Sequence, residues 1–507
     1  MNELVNIIPY PVNVKYDKGY FTLSDEIIIQ FDEKFIKVAN YLKDFAKNYL
    51  HINFGFSQPY SKHEKLLQII QSDEEIPPEG YLLNINHDSI QIGAKTSKGA
   101  FYGIQSLIQL VINDSKIPNV SIIDYPRFVW RGFMLDEARH FFGMQEVKRL
   151  LDVMALYKFN IFHWHLTDDQ GWRIEIDEFP LLSEISSKRK GTSKGSRKLM
   201  ADLDGDNKRI DWIPVSGLYS KNQIREIIRY ANDRFITVIP EIDFPGHVQA
   251  VLAAYPELSC TGGPFEVSVK FGVHKDVFCI GKEKVFDFSK KVFQEIMKLF
   301  PSKIIHAGGD EVPVRRYKNC LDCQALMKRE HLTDEKQLQP YFTDKIARFF
   351  NENDRILMGW NEILNDKLPL DIISQFWAGD FNITLEHLKK GRKTVMSDMR
   401  YVYLNYPYKL NPISQTYNYD PIPEKLARDY HANILGIEAC LWSEYVPDIE
   451  TLEYQVFPRL IAIAETGWTL KENKNYDSFE NRMPFTLKIL ETMKVKYAKS
   501  DNFEIQY

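Results

Sequence analysis

The run His306-Ala307-Gly308-Gly309-Asp310-Glu311 gathers the residue types that acid–base chemistry needs. Lys303-Ile304-Ile305 before it is a short apolar stretch that reads as a buried strand. The two glycines remove side chains, so another group can approach the backbone closely. Two adjacent carboxylates follow. On an extended segment neighbouring side chains point to opposite sides. Asp310 and Glu311 would then address two parts of one site, one giving a proton and the other orienting a reacting group. A solvated strand end with a turn has the same short pattern, so the elements around it must decide.

Those elements alternate. Apolar runs at 129–135, 160–166, 235–242, 303–307, 355–359, 372–378, 393–397 and 434–441 read as strands. Amphipathic stretches such as Glu146 to Tyr157, Lys221 to Arg234 and Lys284 to Leu299 separate them. The alternation excludes an all-α or all-β fold and fits either a doubly wound sheet or a (β/α)8 barrel. The strand ends favour the α/β barrel of the TIM type. Asp136 and Arg139 follow the first strand; His163, His165, Asp168 and Asp169 cluster at the second; Glu241, Asp243 and His247 close the third. Asp310 and Glu311 close the fourth, Trp360 and Glu362 the fifth, and Trp377 the sixth. Tyr403 and Asn405 lie beyond the seventh, and Trp442 and Glu444 end the eighth. Barrel active sites gather at these C-terminal ends.

Residues 1–125 differ. Tyr81-Leu82-Leu83-Asn84-Ile85 and Ser89-Ile90-Gln91-Ile92 alternate like strands, and Ala100 to Leu110 has helical apolar spacing. A small α+β domain over 1–125 is therefore expected before a barrel over 126–507 that ends in a helical segment. At 507 residues, 44% hydrophobic and 13% aromatic, the chain has enough apolar surface for a large core. A net charge of −5 argues against nucleic acid as a partner, and no stretch is long and apolar enough for a membrane span. Met1-Asn2-Glu3-Leu4-Val5-Asn6 has no signal-peptide character, which fits either a cytoplasmic chain or one whose leader was trimmed, as in a periplasmic or extracellular protein. The oligomeric state, a homodimer included, stays open. Cys320-Leu321-Asp322-Cys323 lacks a second pair at matching spacing, so it reads as structural thiols rather than a zinc site. Cys260 and Cys279 bracket a loop and are candidates for a disulfide. Asp202, Asp204 and Asp206 are spaced like part of a calcium loop whose closing Glu is missing, so the insertion 187–214 reads as a βα loop without metal.

One indole would read as core packing. Trp360, Trp377 and Trp442, all at strand ends beside carboxylates, favour a carbohydrate pocket, because sugar rings present apolar faces to flat indoles. Arg139, Asp168 and Glu444 fit charge-assisted contacts with hydroxyl groups, and each alone also fits a salt bridge. Here a resemblance is plain. Asp124 to Phe128, Arg131 to Phe141, His163 to Gln170, Pro240 to His247, the Gly-Gly-Asp-Glu segment and Glu438 to Glu444 resemble, in order, the β-N-acetylhexosaminidases of glycoside hydrolase family 20. The likeness runs from the first residues to about 470.

The resemblance implies an exo-acting, retaining enzyme that uses no cofactor and acts on glycans ending in N-acetylglucosamine or N-acetylgalactosamine. Glu311 would be the general acid. The substrate's own 2-acetamido oxygen would attack, giving an oxazolinium, while Asp310 holds the acetamido N–H and Tyr403 donates to its oxygen. Trp360, Trp377 and Trp442 would wall the pocket. Arg139 and Glu444 would grip the 3- and 4-hydroxyls with Asp168 in support, and Asp243 with His247 would form a relay behind Glu311. No metal is implied, and His163, His165 and His247 do not make a ligand set. Burial beside Trp and another carboxylate is expected to raise the proton affinity of the acid. Asn405 stands two residues after Tyr403, near the 4- and 6-hydroxyls, where many family members have Asp, and Val215 to Ser220 matches the family's glycine-rich loop only loosely. Both leave fine specificity open, so a 6-sulfo-N-acetylglucosaminidase or a lacto-N-biosidase stays as an alternative. A non-catalytic sugar-binding barrel is least favoured, since Asp310, Glu311 and Tyr403 are all present.

Overall fold

Eight parallel strands close into a barrel in chain order: β1 (Trp130–Asp136), β2 (Ile161–His165), β3 (Thr237–Glu241), β4 (Ile304–His306), β5 (Ile356–Trp360), β6 (Ile373–Phe376), β7 (Lys393–Met396) and β8 (Ile434–Leu441). A computed structural model describes residues 5–24, 27–56, 65–112, 115–194 and 209–499. Each strand expected from the apolar runs is present. The runs are unbroken because a parallel strand in a barrel is buried on both faces; every residue of β1 and of β2 is buried. Helices such as Met144–Leu156, Lys221–Asn232 and Glu283–Leu299 fill the return paths. The second of these starts at a capping box, in which the Ser220 hydroxyl accepts the Gln223 N–H and the Gln223 side chain accepts the Ser220 N–H.

The barrel interior is layered. Trp130, Ile161, Ile239, Met358, Ile373 and Val395 pack together in an apolar layer. Toward the C-terminal ends lies a polar layer in which Glu438 accepts from the Trp130 indole at 2.8 Å, His163 at 2.7 Å and Gln375 at 2.8 Å. Glu241 accepts from the Trp360 indole at 2.8 Å and faces His165 at 2.5 Å, His306 at 2.9 Å and His163 at 3.1 Å. Met134, Trp360, Tyr403, Tyr406, Cys440 and Trp442 form the aromatic layer above.

Before the barrel, a seven-stranded sheet spans Asn13–Thr22, Lys116–Asp124, Tyr81–Ile85, Ser89–Ala94, Leu66–Gln71, Ile28–Phe31 and Gly55–Phe56, side by side in that order. The helix Ser97–Val111 packs on it, capped by the Thr96 hydroxyl. A buried polar seam joins sheet to barrel. The Lys158 ammonium meets Asp124 at 2.9 Å and the Tyr81 hydroxyl at 3.0 Å, Asp124 also accepts from the Trp468 indole at 2.9 Å, and Arg131 reaches Glu79 at 2.7 Å.

One expectation changes here. All five cysteines are free thiols, so Cys260 and Cys279 do not pair as a disulfide; both sulfurs instead face Cys323, at 3.8 and 3.6 Å. The acidic triplet Asp202, Asp204 and Asp206 lies outside the described residues. Among the described residues no helix is long and apolar enough to cross a membrane.

Candidate active site

The backbone after β4 is held in a conformation that only its sequence allows. Gly308 and Gly309 have φ of 64° and 96°, and a Cβ on Gly308 would lie 1.7 Å from the Asp243 carboxylate. The Gly309 N–H donates to Asp243 Oδ1 at 3.0 Å, and the Gly309 carbonyl accepts from Gln339 at 3.1 Å. Glu311 itself has φ of 50°, uncommon for a residue with a side chain. The segment is therefore not extended, and the two carboxylates do not diverge as an extended strand would require. They converge on one imidazole: His247 Nε2 lies 3.5 Å from Glu311 Oε2 and 3.7 Å from Asp310 Oδ2. One oxygen of each carboxylate and one His247 nitrogen all fall within 4.8 Å of one another.

Behind His247 stand two carboxylates besides the expected Asp243. Its Nδ1 lies 3.2 Å from Asp168 Oδ1 and 3.2 Å from Asp169 Oδ2. Asp243 spends Oδ1 on Gly309, and its Oδ2 has no hydrogen-bond partner among the described residues. Asp168 and Asp169 thus stand behind His247 and Glu311 in front of it, while Asp243, with an oxygen within 4.8 Å of the same imidazole, pins the turn that presents Asp310. Asp168 also ties Arg139 at 2.6 Å and His165 at 2.9 Å, so it works behind the pocket rather than on a ligand. Asp136 holds Arg139 from the other side at 3.2 Å and accepts the Ser443 N–H at 2.9 Å. His274 adds a second imidazole to Asp169 at 3.2 Å.

The charges follow. Burial opposes a charged His247, but Asp168 and Asp169 outweigh it and hold the imidazole well above its ordinary range. Asp168 is held well below the carboxylate range: burial opposes this, and Arg139 and His247 prevail. Asp310 goes the other way. Burial, then the neighbouring Asp243, push its carboxyl well up. Burial also pushes Asp243 up to about 7. The burial expected of the acid therefore falls on Asp310, since the Glu311 side chain is 28% exposed at the mouth.

The pocket encloses about 580 Å3 including its open mouth, and Arg139, His247, Asp310, Glu311, Trp377, Tyr403, Tyr406, Trp442 and Glu444 line it with Gly272 and Val273. Trp377 and Tyr403 stack with planes 11° apart, and the Arg139 guanidinium sits 5.0 Å over Trp442. Burial holds the Tyr403 phenol in its protonated, donating form. Trp360 is fully buried, with its indole N–H on Glu241 and its ring 5.6 Å from Trp442, so it supports the wall from beneath. Asn405 is buried, and its Oδ1 has no partner among the described residues. The chain turns after Tyr403, so Tyr406, not Asn405, lines the pocket. Sequence reasoning noted Asp169 but gave it no role, and it missed Tyr406, Val273 and His274; a loop residue that returns to a strand end leaves no periodic signal. A larger cavity, lined by Tyr41, Tyr49, Asp152, Tyr230 and Arg234, lies away from the strand ends and holds a saturated Asp152–Arg234 ion pair.

Comparison with known proteins bears on this geometry. The model of the glycosyl hydrolase family 20 catalytic domain matches residues 128–471, and that of family 20 domain 2 matches residues 4–125. A β-hexosaminidase of Porphyromonas gingivalis is 36% identical, over 94% of this chain and 62% of its own length, so the chain spans less than two thirds of that relative. One from Akkermansia muciniphila is 34% identical over 83% of this chain and 85% of its own. Among solved structures, a family 20 exo-β-N-acetylglucosaminidase from Vibrio harveyi in complex with N-acetylglucosamine superposes with a TM-score of 0.86 at 29% identity, covering 98% of this chain and 78% of that one.

Proposed function

The chain belongs to glycosyl hydrolase family 20, and from that premise we propose that it is an exo-acting β-N-acetylhexosaminidase that removes terminal N-acetylglucosamine or N-acetylgalactosamine from glycans with retention of configuration. The observation that carries the reading is the convergence of Asp310 and Glu311 on His247 Nε2 in a pocket walled by Trp377, Tyr403 and Trp442.

The two carboxylates are too close to bracket a water across a sugar ring, which takes about 6.5–9.5 Å in inverting enzymes. Glu311, partly exposed at the mouth, gives its proton to the departing glycosidic oxygen. His247, kept charged by Asp168 and Asp169, then faces the Glu311 carboxylate that results and steadies it. Asp310 Oδ1 is buried without a partner among the described residues and suits the substrate's acetamido N–H. With that donor in place the acetamido oxygen attacks the anomeric carbon, and Asp310 keeps the acetamido group in line as positive charge spreads into the ring. Tyr403 donates to the same oxygen. Arg139, fixed by Asp136, Asp168 and Gln170, offers its guanidinium edge to ring hydroxyls with Glu444 beside it.

The test is hydrolysis of p-nitrophenyl N-acetyl-β-glucosaminide and its galacto epimer, with the matching glucoside as control. Turnover of the acetamido sugars, near-inertness of the glucoside and tight inhibition by a thiazoline mimic of the oxazolinium are expected. Trapping of a glycosyl–enzyme ester by a 2-fluoro sugar would assign the nucleophile to the protein and overturn the mechanism.

A further inference from the structure

Four of the five cysteines gather away from the sugar pocket, where the loop after β3 meets the loop after β4. We propose that Cys260, Cys279, Cys320 and Cys323 form a tetrathiolate site for one Zn2+ ion that clips these two loops together.

The sulfur geometry is that of ligands around a centre. Cys323 Sγ lies 3.8 Å from Cys260 Sγ and 3.6 Å from Cys279 Sγ, and Cys279 Sγ lies 3.4 Å from Cys320 Sγ. All four sulfurs fall within 4.8 Å of one another. Tetrahedral zinc with Zn–S bonds of about 2.3 Å sets its sulfurs about 3.8 Å apart. A disulfide needs about 2.05 Å and joins sulfurs in exclusive pairs, whereas Cys279 and Cys323 each have two close sulfur neighbours. Thiolates are soft ligands that select zinc over magnesium or calcium.

The backbone around the cluster is arranged for sulfur ligands. Cys320 and Cys323 flank the start of the helix Leu321–Arg329. Gly281, two residues after Cys279, packs so tightly that a Cβ there would lie 2.1 Å from the Asp322 carbonyl carbon and 2.3 Å from the Cys323 nitrogen. Cys279, Cys320 and Cys323 are buried, and Arg316, anchored on Asp276 at 2.7 Å, brings positive charge near Cys260. Binding releases four S–H protons to solvent as four S–Zn bonds form, with no electron transferred.

The placement gives the clip a role. Between Cys260 and Cys279 the chain carries Gly272 and Val273 to the pocket and His274 to Asp169. Cys320 follows the turn that presents Asp310 and Glu311. The C-x-x-C read from sequence did have a second ligand pair; its members are separated by this excursion rather than by two residues.

Wild-type protein purified without chelator should carry about one zinc per chain by elemental analysis. Protein produced with cobalt should show thiolate-to-cobalt charge transfer and tetrahedral d–d bands. Cys320→Ser should lose most of the metal, lower the Tm and reduce kcat/KM several-fold, whereas Cys440→Ala should keep its metal. Because a cluster variant can fail to fold, the wild-type stoichiometry and cobalt spectrum decide. An intact mass four hydrogens lighter with no metal, four reactive thiols that take up no zinc on reconstitution, or iron in place of zinc would each overturn the assignment.

Discussion

Glu241 and Asp310 end neighbouring stretches of the same barrel, at β3 and just past β4, and both are buried acids, yet their surroundings are opposite. Glu241 is surrounded by three imidazoles and an indole N–H. Burial works against its charge, but His306, His165 and His163 outweigh it and hold the carboxyl well below the ordinary range. Asp310 has one distant imidazole and a second acid, Asp243, beside it; burial and that acid push it well up. The difference separates an acid used up inside the protein from one open to a ligand. A carboxylate saturated with protein donors has nothing left to accept with, and one left short of donors at a pocket wall keeps a lone pair free.

The largest expected effect tests the saturated side. Glu241→Gln removes the charge that balances buried His163 and His165, and breaking such a network costs about 3–5 kcal/mol; urea unfolding would read this as a lower midpoint. An unchanged midpoint would mean the network is not charged. Next comes the reacting side. Glu311→Gln keeps the shape and removes the proton, so kcat should fall about 10²-fold or more on substrates with poor leaving groups and far less on aryl substrates that leave unaided. Equal losses on both would take the acid role from Glu311.

A third prediction asks whether being short of donors costs stability. Asp243 has a folded pKa of about 7 against an ordinary 3.8, so the native state holds the proton more tightly than the unfolded chain. Its contribution to stability is complete below about 3.8 and is lost as pH rises toward about 7. Asn does not titrate. The Tm of Asp243→Asn minus that of wild type should therefore climb as the pH is raised from 4 to 7 and level off above; a flat difference would break the contrast. The smallest effect concerns Asn405, a buried neutral amide two residues past Tyr403 whose oxygen has no partner among the described residues. A charge there, in Asn405→Asp, should lower the kcat/KM ratio of 6-sulfated to unsulfated aryl N-acetylglucosaminide several-fold, about 1 kcal/mol. An equal ratio in both proteins would place the 6-position away from this residue.

What was legible in the sequence follows the same division. The eight strands stand out because burial on both faces makes each an unbroken apolar run, and residues such as Asp310 and Trp442 are legible because they stand just past those runs. What was hidden depends on backbone reversal or on contacts across loops. The left-handed turn at Glu311 makes neighbouring carboxylates converge where an extended strand would splay them. Asp168 and Asp169 take His247 from the end of another strand, leaving Asp243 to the Gly309 N–H. Trp360 and Trp377 carry the same indole at similar strand-end positions, and only packing sends one under the pocket and the other to its wall. Cys260 and Cys279 meet Cys320 and Cys323 only once two loops are folded.

The pairing of β8 with β1, from Gly436–Trp130 to Leu441–Leu135, has a consequence for synthesis. The first strand of the barrel leaves the ribosome some three hundred residues before the strand that closes it. Until Glu438 arrives, Trp130 lacks its acceptor, His163 lacks one of its two carboxylates, and β1 presents a bare edge, the state in which large chains aggregate or recruit chaperones. The N-terminal sheet meets no such delay, because all of its strands are made before β1 begins. A chain halted in the β7–β8 connection would expose a protease-sensitive, incomplete barrel beside a finished sheet, and supplying the missing C-terminal piece in trans is the route by which the ring could still close.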